Sequence, residues 1–525
     1  MGYSITSIVC AIFSYLLATT IYNLFFHPVA KVPGPFLARI SLWPSFYHAY
    51  KGDRHIWIWQ QFERYGPRFR AGPNIVLFRT PGAQNDIYNH KANVRRSSFY
   101  DALVRHKDDR NTLNSTNIAL HARKRRSLDL AFTEQSIRAA SPIVAKHIDR
   151  WNDRLLGETD DEGWSMPTDM ATWSDRLVFD VLGDLCFGKA FDTKEPGDNP
   201  LKIIQHQIAE SMKFLYILSK SPWLDSLIWL KPRGLDKLLE AITPQNMKDY
   251  HSFVEQSVRE RLDKEQEAQT KAPVREDMFH FLCSAKDPST GQSVFSTADL
   301  LSEASLLIIA GSDTTATTIC GLFFYLTHNA HVYDELVAEV RSSFSSLDEI
   351  VYGTKLYSCK YLLACVNESL RMVPPAPSEL PRVIQKGGQT IDGNFYPEGT
   401  VVGTAEWASG RNKEIYGDPD TFRPERWIHS ERNSQENVLC IKRAFYPFSK
   451  GPANCAGQNL ALLELYMVVA RTLWRMDVRL APGKSVGEGR LDLGWGRRDP
   501  RQYQVIDAYI SFREGPILQF RERVS

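Results

Sequence analysis

The sequence predicts a mainly α-helical protein with small β-sheets, one large domain behind an N-terminal transmembrane helix. Three observations carry this. Long stretches repeat apolar residues at helical spacing, strand-like runs are few and short, and the chain is uncharged and mostly apolar from Ile5 to Phe26.

A helix over that first run spans roughly 33 Å at about 1.5 Å per residue, enough to cross a bilayer. No Lys or Arg precedes it, so the basic start of a cleaved signal peptide is missing. Lys31, Arg39, Lys51 and Arg54 all follow it, which predicts a single-pass anchor with the main body on the cytosolic side. Prolines at 28, 33 and 35 predict a stiff hinge next. The expected organisation is therefore an anchor over 1–26, a hinge over 27–36 and a catalytic domain over 37–525.

In the body, helices are expected over 201–218, 244–269, 296–324, 332–344 and 459–476. Strands are expected over 74–78, 383–390, 401–404, 503–509 and 517–520. Residues 405–427, with scattered Gly, Pro and Asp, read as a long ordered loop. The 525 residues are 43% hydrophobic and 24% charged with a net charge of +2, so nothing in the balance calls for nucleic acid. The eight cysteines are scattered with no C-x-x-C pair, which argues against a disulfide framework or a zinc site and fits a reducing compartment.

One cysteine stands apart. Phe448, Gly451, Cys455 and Gly457 form F-x-x-G-x-x-x-C-x-G just before a helix. Glycines let backbone N–H groups approach a sulfur, and the positive end of the following helix favours an anion there. Such a site holds a thiolate, the ligand that pushes electron density onto a heme iron. Within the 296–324 helix, AGSDTTATT places Gly311, an aspartate and four threonines in an apolar context. Gly311 costs about 1 kcal/mol relative to Ala. The adjacent acid and alcohol, Asp313 and Thr314, suit proton delivery during oxygen activation; a small-residue packing notch explains the run equally well. Third, Glu368 and Arg371 face each other at i,i+3 on an apolar helix, and a buried pair there needs further partners, with Arg426 the candidate.

Together and in this order, these motifs resemble the cytochrome P450 family of heme-thiolate monooxygenases, in its membrane-bound fungal biosynthetic form. The resemblance runs from the anchor to the terminal REGPILQFRER. It implies a mostly helical fold enclosing heme b (iron protoporphyrin IX), with Cys455 as the metal ligand and Phe448 beside the cofactor on the same loop. It implies Asp313 and Thr314 as the catalytic acid–alcohol pair and Glu368, Arg371 and Arg426 as a structural ion-pair triad. Arg382, in SELPRV, looks like a heme propionate ligand. His121 and Arg125 occupy the spacing of the family's Trp-x-x-x-Arg, with His in place of Trp, and look like two more. One departure matters: the family usually has Arg or His two residues before the cysteine, and this chain has Ala453. Two alternatives follow: the remaining donors His121, Arg125 and Arg382 suffice, or Lys450 reaches in.

The same resemblance implies an apolar small-molecule substrate in secondary metabolite biosynthesis, with an endoplasmic reticulum membrane location. Electrons would come from NADPH through a separate NADPH–cytochrome reductase, with cytochrome b5 as a further donor, because the chain has no dinucleotide fingerprint in the required context. The basic run Arg123–Arg126 is read as a reductase-facing surface, and the aromatic stretch 214–230 as either core or a lid touching the membrane through Trp223 and Trp229. Segments 101–117 and 373–377 are expected beside the pocket. Two other functions stay open at this point: a heme-thiolate isomerase or dehydratase needing no O2, and a non-catalytic heme-binding protein.

Overall fold

The computed structural model describes every residue except 1, 105–108, 244, 272–276, 287–290 and 525. Of the expected elements, position 244 and residues 105–108 of the pocket-flanking segment lie outside the described residues. Where it is described, the protein is mainly helical with small sheets, as the sequence predicts.

The centre is the helix Thr297–His328. It starts where Ser296 and Asp299 form a capping box, each side chain bonding the other's backbone N–H. It is apolar enough to cross a membrane, yet 67% of its apolar window is buried by protein, which makes it a core helix. It packs most heavily on Met170–Phe187, and also on Lys360–Met372 and Gln458–Arg475. The helices expected over 201–218, 244–269, 332–344 and 459–476 appear as Leu201–Ser219, Gln245–Lys271, Ala330–Ser343 and Gln458–Arg475. The 405–427 loop is broken by short turns of helix, Glu406–Ser409, Lys413–Tyr416 and Pro424–Trp427.

The largest sheet has five strands in the order Arg68–Gly72, Ile75–Phe78, Val401–Thr404, Arg382–Ile384, Val94–Arg96. Its last two strands place Arg382 directly opposite Arg96. A hairpin of Val505–Ala508 and Ile510–Arg513 turns at Tyr509, whose φ of 74° is strained for a bulky residue. It delivers Tyr509 and Ile510 to the cavity wall.

At the N-terminus, Gly2–Ile21 is α-helical and Tyr22–Phe26 continues as a π-helical turn. The span Ile5–Phe26 is wholly unburied. Residues 27–32 run as turns and bends ahead of the helix Phe36–Ile40, with Val29 and Val32 buried in the small core under the sheet, and Arg39 donates to the carbonyls of Leu24 and Ala30. Beside this segment Trp43 meets Trp223 edge to face at 5.2 Å. Phe214, Trp223 and Trp229 are all more than half exposed, so these three do not serve as core packing.

Candidate active site

A cavity of about 1400 Å³ opens between the central helix and the cysteine loop. Ordinary ligand pockets measure roughly 300–1,000 Å³, so this one has room for a bulky cofactor and a second molecule. Cys455, Phe448, Ala453 and Thr314 all face it. The surface that Cys455 exposes is therefore cavity surface.

The loop around the sulfur is tightly specified. The Cys455 N–H donates to the Phe448 carbonyl at 2.8 Å. Gly451 has φ 69°, and a Cβ there would lie 1.9 Å from the Tyr88 carbonyl oxygen, so only glycine fits. Gly457 serves differently: its φ is ordinary, and its N–H bonds the sulfur. Burial pushes the Cys455 thiol up, and the Gly457 N–H and the Arg125 charge oppose that push.

On the facing helix, the Ser312, Thr314, Thr317 and Thr318 hydroxyls each bond the carbonyl four residues back, at 2.7–3.1 Å. Back-bonded hydroxyls of this kind often bend a helix. Gly311 is a packing notch as well: a Cβ would come within 2.9 Å of Leu182 on the neighbouring helix. Thr314 lies on the cavity wall, whereas the Asp313 carboxyl is buried on the side of Arg513, 3.9 Å away. Burial, aggravated by the nearby Asp175, pushes the Asp313 carboxyl up. Sequence adjacency thus leaves the expected acid and alcohol on different sides of the helix.

Around another part of the cavity lies a crowd of cations. Arg96 and Arg382 sit across from each other on paired strands, a register that like charges disfavour. Arg96 and Arg125 reach the cavity wall. Burial and the charges of Arg96, Arg125 and Arg382 push His121 down to about 3. Burial with Arg382 and Arg125 also lowers Arg96, to about 10. His121 Nε2 and Arg96 Nε are buried without a hydrogen-bond partner. Arg382 donates to the Tyr100 hydroxyl at 3.1 Å. Arg125 donates to the Asn454 carbonyl and side chain and to Asp129. Among the described residues, no carboxylate pairs with Arg96, His121 or Arg382. Unpaired donors and surplus positive charge suit an anionic group, and a thiolate-bound heme with its propionates fits this donor set.

The third constellation assembles as expected. Glu368 accepts from Arg371 at 2.8 and 2.9 Å, from Arg426 Nε at 2.9 Å and from Trp427 Nε1 at 2.9 Å. All three charged residues are buried. Arg371 also donates to the Gly410 and Pro419 carbonyls and Arg426 to Tyr416, which pins the 405–427 loop.

One expectation fails, and one of two alternatives is not taken up. Lys124, read as part of a reductase-facing surface, is buried and bonds Asp299 at 2.5 Å and the Arg110 carbonyl, so it joins helix to loop inside the protein. Arg123 and Arg126 are exposed. Lys450 bonds Asn85 Oδ1 at 2.7 Å and lies over the Tyr446 ring, and it does not itself line the cavity. The sequence reading also misses Arg96, Tyr509 and Glu464 on the cavity wall. Arg96 offered a signal, a second arginine in a strand-like run; Tyr509 and Glu464 offered none. Glu464 is buried, with its carboxyl pushed up to about 8 by burial.

A helical body around one cavity, with a glycine-flanked cysteine on one wall and a threonine-rich helix on another, defines an oxygen-activating heme-thiolate class of protein. The sequence model of the cytochrome P450 family matches residues 33–490, and the chain belongs to that family. The cytochrome P450 monooxygenase poxM of Penicillium oxalicum is 35% identical over 512 residues, covering 97% of this chain and 93% of that protein. Cytochrome P450 monooxygenase fscF of Fusarium equiseti is 34% identical over 532 residues, with 98% and 96% covered. The trichothecene C-15 hydroxylase of Fusarium sporotrichioides is 31% identical over 499 residues, with 94% and 96% covered. The chain is accordingly a heme-thiolate monooxygenase of secondary metabolism, an oxidoreductase that uses molecular oxygen, takes electrons from a redox partner and acts on a small molecule. Its apolar N-terminal helix is compatible with a membrane anchor.

Proposed function

We propose that the enzyme inserts one oxygen atom into an apolar small molecule, by hydroxylation or a related oxidation, with Cys455 as the residue whose sulfur would hold the iron of heme b. The observation that carries this is the single cavity faced by both the Cys455 sulfur and the Thr314 hydroxyl. When bound, heme supplies oxygen activation. The protein's own parts do the rest. Gly457 and Arg125 stabilise the thiolate, and Arg96, His121, Arg125 and Arg382 hold the propionates. The Thr314 hydroxyl, facing the cavity, passes protons, and Asp313 is the acid behind it. Leu306, Leu380 and Ile510 on the wall favour an apolar substrate; a terpenoid, polyketide or alkaloid intermediate suits it best.

Two measurements test the reading. The reduced, CO-bound protein should absorb at the thiolate position and lose that band in Cys455→Ala. In protein that keeps its heme, Thr314→Ala should uncouple electron use from product formation; intact coupling sinks the proton role.

NADPH–cytochrome reductase is the proposed electron source, with cytochrome b5 as an auxiliary donor. The exposed Arg123 and Arg126 support a basic docking face, and replacing both should weaken reductase-supported turnover and flatten its salt dependence. We place residues 1–26 in the endoplasmic reticulum membrane, 27–36 as the junction and 37–525 as the cytosolic catalytic domain. The exposed Phe214 and Trp229, and the exposed Trp223 packed on Trp43, support a second contact with that membrane.

A further inference from the structure

Asp313 does not sit alone behind the cavity. Arg513, from the C-terminal hairpin, reaches toward it with Nη1 3.9 Å from Asp313 Oδ1. The same guanidinium donates through Nη2 to Asp175, on the helix Met170–Phe187, in a short contact. Nη1 also donates to the Thr317 hydroxyl at 3.1 Å, while the Thr317 hydroxyl donates to the Asp313 carbonyl. The side chains of Asp313 and Arg513 are 7% and 2% exposed, and that of Asp175 is 26% exposed. Two carboxylates therefore share one cation in a largely desolvated pocket.

We propose that Asp175 and Arg513 are positioning residues that keep Asp313 in its proton-bearing form, by making two carboxylates compete for one guanidinium. This rests on Asp313 being the acid behind Thr314. The physical logic is charge counting. If both carboxylates ionised, the site would bury two negative charges against one positive, and like charges at short range resist that. Asp175 has the close contact with Arg513, so Asp313 is left with the proton. Burial pushes both carboxyls up, Asp175 adds to the push on Asp313 and Asp169 to that on Asp175, and Arg513 only partly offsets this. The other groups that bear on this charge balance are Asp169 beside Asp175, and Cys320 and Tyr503 beside Arg513; none brings a second cation. An acid that holds its proton near neutral pH can donate it, which an ordinary exposed carboxylate cannot. Partial exposure of Asp175 places the competing charge next to solvent.

The two partners predict opposite shifts. Asp175→Asn gives all of Arg513 to Asp313, so Asp313 should titrate at lower pH, by on the order of one to three units. Arg513→Gln removes the cation, so Asp313 should titrate at higher pH. Asp175→Glu should restore the original behaviour. The readout is the carboxylic-acid infrared band of isotope-labelled aspartate in heme-loaded, full-length protein, assigned by its loss in Asp313→Asn. The pH profile of coupling should move with it. A band that stays in place in both charge variants, or moves the same way in both, overturns the proposal. Should Arg513→Gln fail to fold, the Asp175→Asn and Asp175→Glu pair decides. If Asp313→Asn leaves coupling intact, the acid reading falls and this proposal falls with it. If Asp313→Asn uncouples while the band stays put in the charge variants, only this proposal falls.

Discussion

Two clusters of buried charge in this protein are built on opposite terms. Around Glu368, every charge has a partner of opposite sign: Glu368 serves Arg371 and Arg426, Asp418 offers Arg426 a second carboxylate at 3.3 Å, and the remaining guanidinium N–H groups reach loop carbonyls. Around Arg96, His121 and Arg382 the charges are of one sign, two buried nitrogens lack partners, and two arginines face each other across paired strands. Satisfied buried charge holds a fold together. Unsatisfied buried charge of one sign costs stability and persists where a ligand completes it. The difference separates a girder from a receptor inside one protein.

The largest expected effect follows from breaking the girder. Glu368→Ala strands two buried arginines, and breaking a buried pair this way costs about 3–5 kcal/mol. That is a large fraction of ordinary domain stability, so the variant should be recovered mostly unfolded. Circular dichroism of heme-free protein checks it, and a native-like melt would show that the loop carbonyls alone suffice.

Next comes the receptor. Arg96→Leu removes a cation that has no buried carboxylate to orphan, so the heme-free fold should hold or gain stability. Heme should dissociate faster by roughly 10–150-fold, from a charge-assisted hydrogen bond of about 1.5–3 kcal/mol. Transfer of heme to an acceptor protein measures it. Parallel losses in fold and retention would erase the contrast between the clusters.

The two clusters also differ in how legible they were. Glu368 and Arg371 announce themselves by helical spacing, and Arg426 by the FRPERW motif, because a local pattern fixes them. The cation cluster comes from a strand at 94–96, a helix at 118–128 and a strand at 382–384, and only the sheet register brings Arg96 to Arg382. Spacing in the chain carries no trace of that. Exposure in the 123–126 run followed the same rule: on one helical turn Lys124 points inward and Arg123 outward, which depends on the Thr297–His328 helix lying alongside. Buried helices were also harder to frame than amphipathic ones. Met170–Phe187 is buried on almost every side and so shows no stripe to read. Its importance, as the main partner of the central helix and the carrier of Asp175, is purely tertiary.

A smaller effect concerns pH. His121 is held neutral by burial and by three arginines, with its pKa lowered to about 3. Its unfolded value is about 6.5, so between these limits the unfolded chain binds a proton that the folded one refuses. Stability that is complete above pH 6.5 should therefore be lost as pH falls toward 3, at close to one proton per molecule. Heme propionates would counter the arginines and raise the folded value, so loading should flatten this slope. Denaturation midpoints across that range, with and without heme and in His121→Gln, measure it. An equal slope in all three would remove His121 from the anion site.

The smallest expected effect is the most pointed, because it asks whether Ala453 leaves a gap that another cation fills. Lys450 is the nearest candidate in sequence, and its ammonium is already committed to Asn85 and the Tyr446 ring. Moving it inward would forfeit both contacts and turn the backbone at Ser449, which already has φ 58°. Arg96, by contrast, stands on the cavity wall with an unpartnered Nε. Lys450→Ala should therefore leave heme retention unchanged, within a factor of about two, where Arg96→Leu does not. A loss in Lys450→Ala equal to that in Arg96→Leu would mean that the loop rearranges on loading and that the propionate donor missing at position 453 is supplied from three residues upstream after all.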